Sequence, residues 1–361
     1  MTVTARTDGP VLVVGTGLLG ASVGLALRAI GVDVLLEDSS TAALELAADY
    51  GAGRPLDAGT SPALVVVAVP PDQIPAVVAG ALERFPHALV TDVGSVKQHP
   101  LAALRQRGAD LSRYLGSHPL AGRERGGPVS ARADLFLARP WVVTPHELTA
   151  PGQVHTLEDL VLDLGATPVR MTPAEHDASV ALVSHLPQLL ASLMAARLVD
   201  APHAAVAIAG QGLRDVTRIA SSSPELWVQI LGANAQAVLP LLDAVAADLD
   251  ALRAAIREPA QPGARRAVAE VLASGNSGVA RLPGKHGQDA RFASLVVLID
   301  DRPGQLARLL TEIGEVDVNL EDLRLEHSPG AAIGIVEVSV LPEVRDRLER
   351  ELTTRGWRVA G

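Results

Sequence analysis

The chain has 361 residues and a mass of 37.4 kDa, enough for two or three domains. Its 48% hydrophobic, 20% charged and 2% aromatic content describes a globular protein with an aliphatic core and excludes extended disorder. A net charge of -10 leaves no electrostatic footprint for nucleic acid, and the absence of cysteine excludes disulfide scaffolds, thiolate metal sites and a cysteine nucleophile.

Met1 to Pro10 contains no apolar leader core. The most apolar stretch, Ala63 to Pro71, is far shorter than the ~20 residues of a membrane span, so a cytoplasmic protein without a membrane partner is expected. From Val11, short β-branched runs alternate with helical segments: a strand at Val11–Val14, a helix at Leu18–Ala29, a strand at Val32–Leu36 and a helix at Thr41–Asp49. Further strands are predicted at Leu64–Val69, Ala88–Asp92, Trp141–Thr144 and Pro168–Met171. This βαβ rhythm predicts a Rossmann-type parallel sheet over residues 1–172.

At Pro173 the pattern becomes helical, with one long helix over Ala174–Val199, another over Pro202–Ala220 and a third from Pro224 to about Ile256. The third has a clear start: Ser223 as N-cap, Pro224 at the first position and Glu225 in the first turn. Prolines and glycines between Glu258 and Ala290, around a short helix at Arg265–Ala273, read as a connecting segment that closes an all-helical domain over 173–290. Residues 291–361 then read strand, helix, strand, strand, helix, strand, a βαββαβ ferredoxin-like module.

Gly15-Thr16-Gly17-Leu18-Leu19-Gly20 follows a strand and opens a helix, where GxGxxG has a mechanism. Gly15 permits the tight turn, Gly17 lets the backbone approach a pyrophosphate, and Gly20 allows close packing of helix on sheet. Asp38, 23 residues after Gly15, stands near the spacing expected of a ribose-binding carboxylate. Asp38 would repel a 2′-phosphate, and the Ser39 and Ser40 that follow offer no guanidinium to bind one, so NAD is favoured over NADP. The remaining site is expected beyond the strand ends, at Val69-Pro70-Pro71 and Asp92-Val93-Gly94-Ser95.

Among ten histidines, His118 in Gly116-Ser117-His118-Pro119-Leu120-Ala121-Gly122 is the leading base, placed between a strand-like stretch and a loop; a histidine bonded to a loop carbonyl is the alternative. Ser95 reads either as a ligand to the reacting oxygen or as a helix N-cap. Arg214 and Arg218, four residues apart, would share one helix face as a carboxylate clamp or as a solvated salt-bridge face. His176 and His185 are nine residues apart, which on a straight helix points them to opposite sides. His185 is preferred for the pocket, because it interrupts an apolar stretch just before Pro187. No metal-ligand spacing is present.

These residues together resemble the prephenate/arogenate dehydrogenase family. The motifs GTGLLGASVGLAL with Asp38, TDVGSVK, SHPLAGRERGG, HDASVALVSHLPQ and GLRDVTRIASSSPELW come in the family's order over about Val11 to Gln288, including Pro283-Gly284-Lys285-His286-Gly287. The resemblance implies NAD-linked oxidative decarboxylation of prephenate to 4-hydroxyphenylpyruvate in tyrosine biosynthesis, with arogenate as the alternative substrate. It implies catalytic His118 and Ser95; substrate contacts from Arg218, Arg214, His185 and Glu124; and a dinucleotide held by Gly15, Gly17, Leu18, Gly20, Asp38 and Pro70. An acidic Glu124 would pair with the ammonium of arogenate, although Arg123 and Arg125 flank it.

The tail, with Asp301-Arg302-Pro303-Gly304 and Val318-Asn319-Leu320, resembles an ACT domain. That implies an amino-acid effector, logically L-tyrosine, near Asp301, Gly304 and Asn319, and a homodimer. A non-catalytic NAD-binding sensor is the competing reading, against which stand Ser95, His118 and Arg218 together. Another NAD-linked 3-hydroxy acid dehydrogenase would be expected to carry a lysine on its long helix, and Ala174–Asp200 has none.

Overall fold

The computed structural model describes residues 4–122, 126–282, 292–327 and 333–360. The chain divides into two compact units, residues 1–199 with 217–244, and residues 200–216 with 245–361.

The first unit is built on β1 (Val11–Val14), α1 (Leu18–Ala29), β2 (Val34–Glu37), α2 (Thr41–Asp49), β3 (Arg54–Pro55), β4 (Leu64–Val67), α3 (Ile74–Arg84) and β5 (Leu89–Asp92). The five strands form a parallel sheet in the order β3-β2-β1-β4-β5. Runs such as Leu64-Val65-Val66-Val67 are buried throughout, as strands covered on both faces require. One face packs Val13, Val34 and Val66 against α1, and the other packs Leu12, Val65 and Val90 against α3.

Next come α4 (Gln98–Gln106), β6 (Gly116–Pro119), β7 (Pro140–Thr144), α5 (Pro151–Asp163) and β8 (Thr167–Arg170). β6 runs antiparallel to β7, which is parallel to β8. A bond from Leu115 N–H to Val90 O (3.0 Å) brings the entry to β6 alongside β5. Neither β3 nor β6 is visible in the residue pattern. Gly-Ser-His-Pro has no β-branched residue, and it is extended because β7 supplies a partner. His118 therefore stands on a strand, not on a loop after one.

The predicted long helix exists but is not uniform. α6 (Pro173–Val180) starts with a capping box between Thr172 and Glu175, passes through a π turn at Ala181–His185, and continues as α7 (Leu186–Ala196). Pro187 has no N–H to donate four residues back, and the turn before it widens. One extra residue in a turn rotates everything beyond it by about 100°, so His176 and His185 both face inward, contrary to straight-helix geometry. By length and a mean hydropathy of 1.4, Pro173–Ala196 could cross a membrane, which Ala63–Pro71 could not; its His176, Asp177 and His185 are buried in a polar protein interior.

The helix expected over Pro202–Ala220 is instead α8 (His203–Ala207), α9 (Gln211–Thr217) and a 3-10 turn at Arg218–Ala220. Arg214 and Arg218 thus do not share one continuous α-helical face, and they belong to different compact units. The helix expected from Pro224 to Ile256 is α10 (Pro224–Ala233), capped by Ser223 as predicted, followed by α11 (Ala235–Arg257), with a 98° bend at Asn234. The connecting segment carries a longer helix than expected, α12 (Ala264–Val279).

In the second unit, β9 (Ala293–Asp300), α13 (Gln305–Glu315), β10 (Asp322–His327), β11 (Ile333–Val340), α14 (Pro342–Thr354) and β12 (Arg358–Ala360) keep the βαββαβ order. Their sheet is antiparallel, in the order β10-β11-β9-β12. Alternate residues Leu295, Val297, Ile299 and Val336, Val338, Val340 point to a core closed by Leu309, Leu348 and Trp357.

Candidate functional site

The C-terminal ends of β1, β4 and β5 lie side by side, with Val14 opposite Val67 and Val67 opposite Asp92. The loops that follow them form one edge of the sheet, where open α/β sheets bind ligands. A cavity of about 710 Å³ at this edge is lined by Gly15, Gly17, Asp38, Pro70 and Arg84 among others. Gly15 has φ +95°, and a Cβ there would stand 2.5 Å from Ala68 O. A Cβ on Gly20 would stand 1.9 Å from Gly15 O, so Gly20 serves the close approach of helix to loop and does not line the cavity; nor does Leu18. Gly17 has nothing within 4 Å of its missing Cβ, which leaves the backbone open for a ligand to approach.

Asp38 Oδ2 accepts hydrogen bonds from Thr16 N–H (2.6 Å) and Thr16 Oγ–H (2.8 Å), and Oδ1 accepts one from Ser40 N–H (2.8 Å). The carboxylate thus ties the glycine loop to the end of β2 and keeps acceptor capacity on the cavity wall. Arg84 reaches the rim, paired with Glu37 at 2.7 Å.

The second part of the site is a buried polar cluster. Asp92 at the end of β5 is fully buried and accepts from Gly94 N–H (2.8 Å), Tyr114 Oη–H (2.6 Å) and Lys97 Nζ. Lys97, 1% exposed, also donates to Ser117 O (2.6 Å), which joins the β5 loop to β6 one residue before His118. Burial pushes the Lys97 pKa down against the opposing pull of Asp92 and Asp177, and pushes Tyr114 well above the usual phenol value.

Asp177 on α6 accepts from Lys97 N–H (2.8 Å) and Gln98 N–H (2.9 Å), satisfying the first amides of α4 in place of a local cap. Its Oδ1 also meets His176 Nδ1 (2.7 Å), and His176 Nε2 meets His118 Nδ1 (2.8 Å). His185, on the π turn, faces Asn234 Nδ2–H (3.1 Å) through Nδ1, and the same amide group donates to Asp177 O (2.9 Å). Trp227 lies edge-on to His185 at 5.8 Å. Desolvation holds all three imidazoles toward the neutral form: His118 well below the usual histidine value, His176 below it despite Asp177, and His185 at about 4.

Of the residues singled out from sequence, Gly15, Gly17, Asp38 and Pro70 meet at the cavity. His118 and His185 enter the buried cluster, and Ser95 lies on the Asp92–Lys97 loop. Ser95 does not cap α4; the residue at that position is Lys97, and Asp177 accepts its amide. Arg214 and Arg218 are exposed, and among the described residues neither has an ion-pair partner. The turn bearing Arg218 packs against α7. Glu124, with Arg123 and Arg125, and Pro283 to Gly287 lie outside the described residues. Asp301 and Gly304 form the exposed loop between β9 and α13, and Asn319 precedes β10, its amide 3.4 Å from Glu321. No group of side chains among the described residues could hold a metal ion.

Sequence reasoning passed over His176, Asp177, Tyr114 and Asn234. A signal existed for Lys97: only two of the 31 cationic side chains are lysines, and one of them is enclosed here.

A sequence profile for the nucleotide-binding domain of prephenate dehydrogenase matches residues 23–170, and one for that family's dimerization domain matches residues 172–270. A probable prephenate dehydrogenase of Streptomyces niveus is 34% identical, over 96% of this chain and 98% of its own. The prephenate dehydrogenase of Bacillus subtilis is 29% identical, over 91% of each. Among solved structures, Aquifex aeolicus prephenate dehydrogenase, crystallised with hydroxyphenyl propionate and NAD+, superposes with a TM-score of 0.65 at 25% identity, covering 76% of this chain and 98% of its own. Synechocystis arogenate dehydrogenase gives 0.62 at 28% identity, covering 74% and 99%. With its glycine-loop cavity and buried histidine cluster at one sheet edge, the chain belongs to the prephenate dehydrogenase family.

Proposed function

We propose that the protein is an NAD-dependent prephenate dehydrogenase that converts prephenate to 4-hydroxyphenylpyruvate and CO2. The observation that carries this is His118, half-buried beside the β5 loop, with one ring nitrogen committed to His176 and the other left for a substrate hydroxyl. The residues fit the cofactor: Gly17 leaves its backbone uncovered, Asp38 presents acceptors for a ribose, and Pro70 completes the wall. NAD, when bound, supplies the acceptor for the hydrogen and electron pair that leave the hydroxyl-bearing ring carbon.

The chain's own residues align that carbon and manage the hydroxyl proton. His118 accepts a hydrogen bond from the hydroxyl, and Ser95 binds the same oxygen. Arg218 anchors a substrate carboxylate and His185 lines the pocket; the family resemblance also assigns substrate contacts to Arg214 and to Glu124, which lies outside the described residues. The ring carboxylate departs as CO2, and its bonding electrons complete the aromatic ring. The product keeps a phenol proton, so the base borrows a proton and returns it. A base that resists permanent protonation suits that task.

The division at residues 172 and 290 into NAD-binding, helical and ACT domains follows from the same reading. The antiparallel βαββαβ sheet supports the ACT assignment, with an amino-acid effector such as L-tyrosine near Asp301, Gly304 and Asn319. A homodimer through the helical region is supported by exposed apolar side chains including Leu182, Val183, Leu193 and Val228, and by the match of residues 172–270 to the family's dimerization domain.

Purified protein should form NADH from prephenate and NAD, faster than with NADP or from arogenate. His118→Asn should lower kcat by ~100-fold or more, while L-tyrosine should inhibit the unaltered enzyme. Measurable NAD binding with no turnover of either substrate would move the reading to a non-catalytic sensor. A tyrosine-insensitive enzyme would leave the C-terminal domain as an assembly element.

A further inference from the structure

Asp177, His176 and His118 form one unbroken line: Asp177 Oδ1 to His176 Nδ1 at 2.7 Å, then His176 Nε2 to His118 Nδ1 at 2.8 Å. A carboxylate can only accept, so His176 carries its proton on Nδ1. A neutral His176 then has a lone pair on Nε2, and the facing nitrogen of His118 must be the donor. We propose that His176, held by Asp177, is a positioning residue that sets His118 in the tautomer protonated on Nδ1, with its Nε2 lone pair toward the substrate hydroxyl, and that it shares the borrowed proton. This rests on the proposed dehydrogenase activity for its kinetic part only; the tautomer is a property of the protein by itself.

The alternatives fail on the same geometry. With the His118 proton on Nε2, two lone pairs would face each other across 2.8 Å. A doubly protonated His176 would remove that clash, but it would sit fully buried near Lys97. The charged and titratable groups acting on the pair are Asp92 and Lys97 from the end of β5 and its loop, Asp177 from α6 and His185 from the π turn; Tyr114, ahead of β6, meets Asp92. Among the described residues, the anion in direct contact with this pair is Asp177, and it touches His176, not His118.

The proton balance follows. The substrate O–H bond breaks as a bond to His118 Nε2 forms, while the His118 Nδ1–H bond breaks as a bond to His176 Nε2 forms. Positive charge then rests on His176 directly against the Asp177 carboxylate, a counter-charge His118 does not touch, and the reverse shift returns the proton to the product. Burial first, then the charges of His176, Lys97 and His185, make an imidazolium at His118 costly; passing the proton on to His176, where Asp177 supplies a counter-charge, avoids holding it on His118.

The test reads the tautomer first. In 15N-histidine-labelled protein at neutral pH, with the His118 signal assigned by its loss in His118→Asn, His118 should show protonated Nδ1 and bare Nε2. His176→Phe, which removes the acceptor, should shift His118 toward the Nε2-protonated tautomer. His176→Gln keeps an acceptor but cannot take a proton. It should retain the tautomer, lower kcat by ~10-fold or more with KM within about 3-fold, and move the acid limb of the kcat profile to lower pH. An Nε2-protonated His118 in the unaltered protein overturns the proposal whether or not the enzyme turns over. A His176→Gln variant with unchanged kcat and pH profile overturns the proton-sharing step. Correct tautomers with no turnover of prephenate would instead count against the proposed substrate.

Discussion

The parallel sheet and the C-terminal antiparallel sheet bury different chemistry. Around β9 and β11 the interior is Leu295, Val297, Ile299, Val336, Val338 and Val340 against leucines and Trp357, an apolar core that any well-packed set of this volume could fill. At the end of β5 the interior holds Asp92, Lys97, Asp177, His176, His185 and Asn234. Charged groups taken from water are tolerated only when each finds partners, so this region trades stability for a fixed arrangement of acids and bases. The lesson is that a buried polar cluster in a small-molecule enzyme marks where chemistry is set up, while an apolar core of similar size marks only a fold.

The contrast is most easily broken at Lys97. Lys97→Met should leave the Asp92 carboxylate without its counter-charge and cost about 3–5 kcal/mol in denaturant unfolding. Adding Asp92→Asn should return part of that loss, because the amide can still accept a hydrogen bond without a charge to compensate. If Lys97→Met costs no more than ~1 kcal/mol, the cluster is better hydrated than its burial indicates.

The glycine loop separates packing from binding within the parallel-sheet unit. Gly17→Ala should fold with an unchanged melting temperature yet bind NAD about 10-fold more weakly, whereas Gly20→Ala should lower the melting temperature because its Cβ meets Gly15 O. Isothermal titration of NAD alongside thermal melts distinguishes the two; equal behaviour of both variants would refute the division of roles.

Acid gives the smallest expected effect. His118, His176 and His185 are all held below their unfolded values, so the unfolded chain binds more protons as pH falls. Stability is therefore intact above the unfolded value near 6.5 and falls as pH drops toward the folded His185 value of about 4. Thermal melts at pH 7.5 and 5.0 should differ by several degrees for a variant that reports through Trp227, and by less for one that reports through Trp357, which sits in the apolar C-terminal core. Equal shifts at both reporters would mean that the two regions unfold together.

Much of this was legible before any fold was known, where neighbours in sequence decide the outcome. Leu18–Ala29 and Thr41–Asp49 form helices over the residues predicted; Gly15 and Gly17 lie in one strand-turn-helix unit, and Asp38 and Pro70 join them at one cavity because β2 and β4 pair in parallel with β1 and end at the same sheet edge. His176 was set aside because a straight helix turns it away from His185, and only the π turn ahead of Pro187 brings both inward. Asn234 lay unmarked inside an expected helix, yet the chain bends 98° there and its amide bonds His185 and Asp177. Gly116–Pro119 has no strand propensity of its own and is extended by pairing with β7.

By itself, then, the sequence determined the βαβ rhythm, the glycine loop, the family motifs and the order of the C-terminal elements, all of which depend on periodicity and on contacts within a few residues. The tertiary structure alone decided which histidine backs His118, what caps α4, and where Lys97 places its charge. Those outcomes join residues 20 to 80 positions apart, and they arise because buried donors and acceptors must find one another when the elements pack, a demand that no local pattern records.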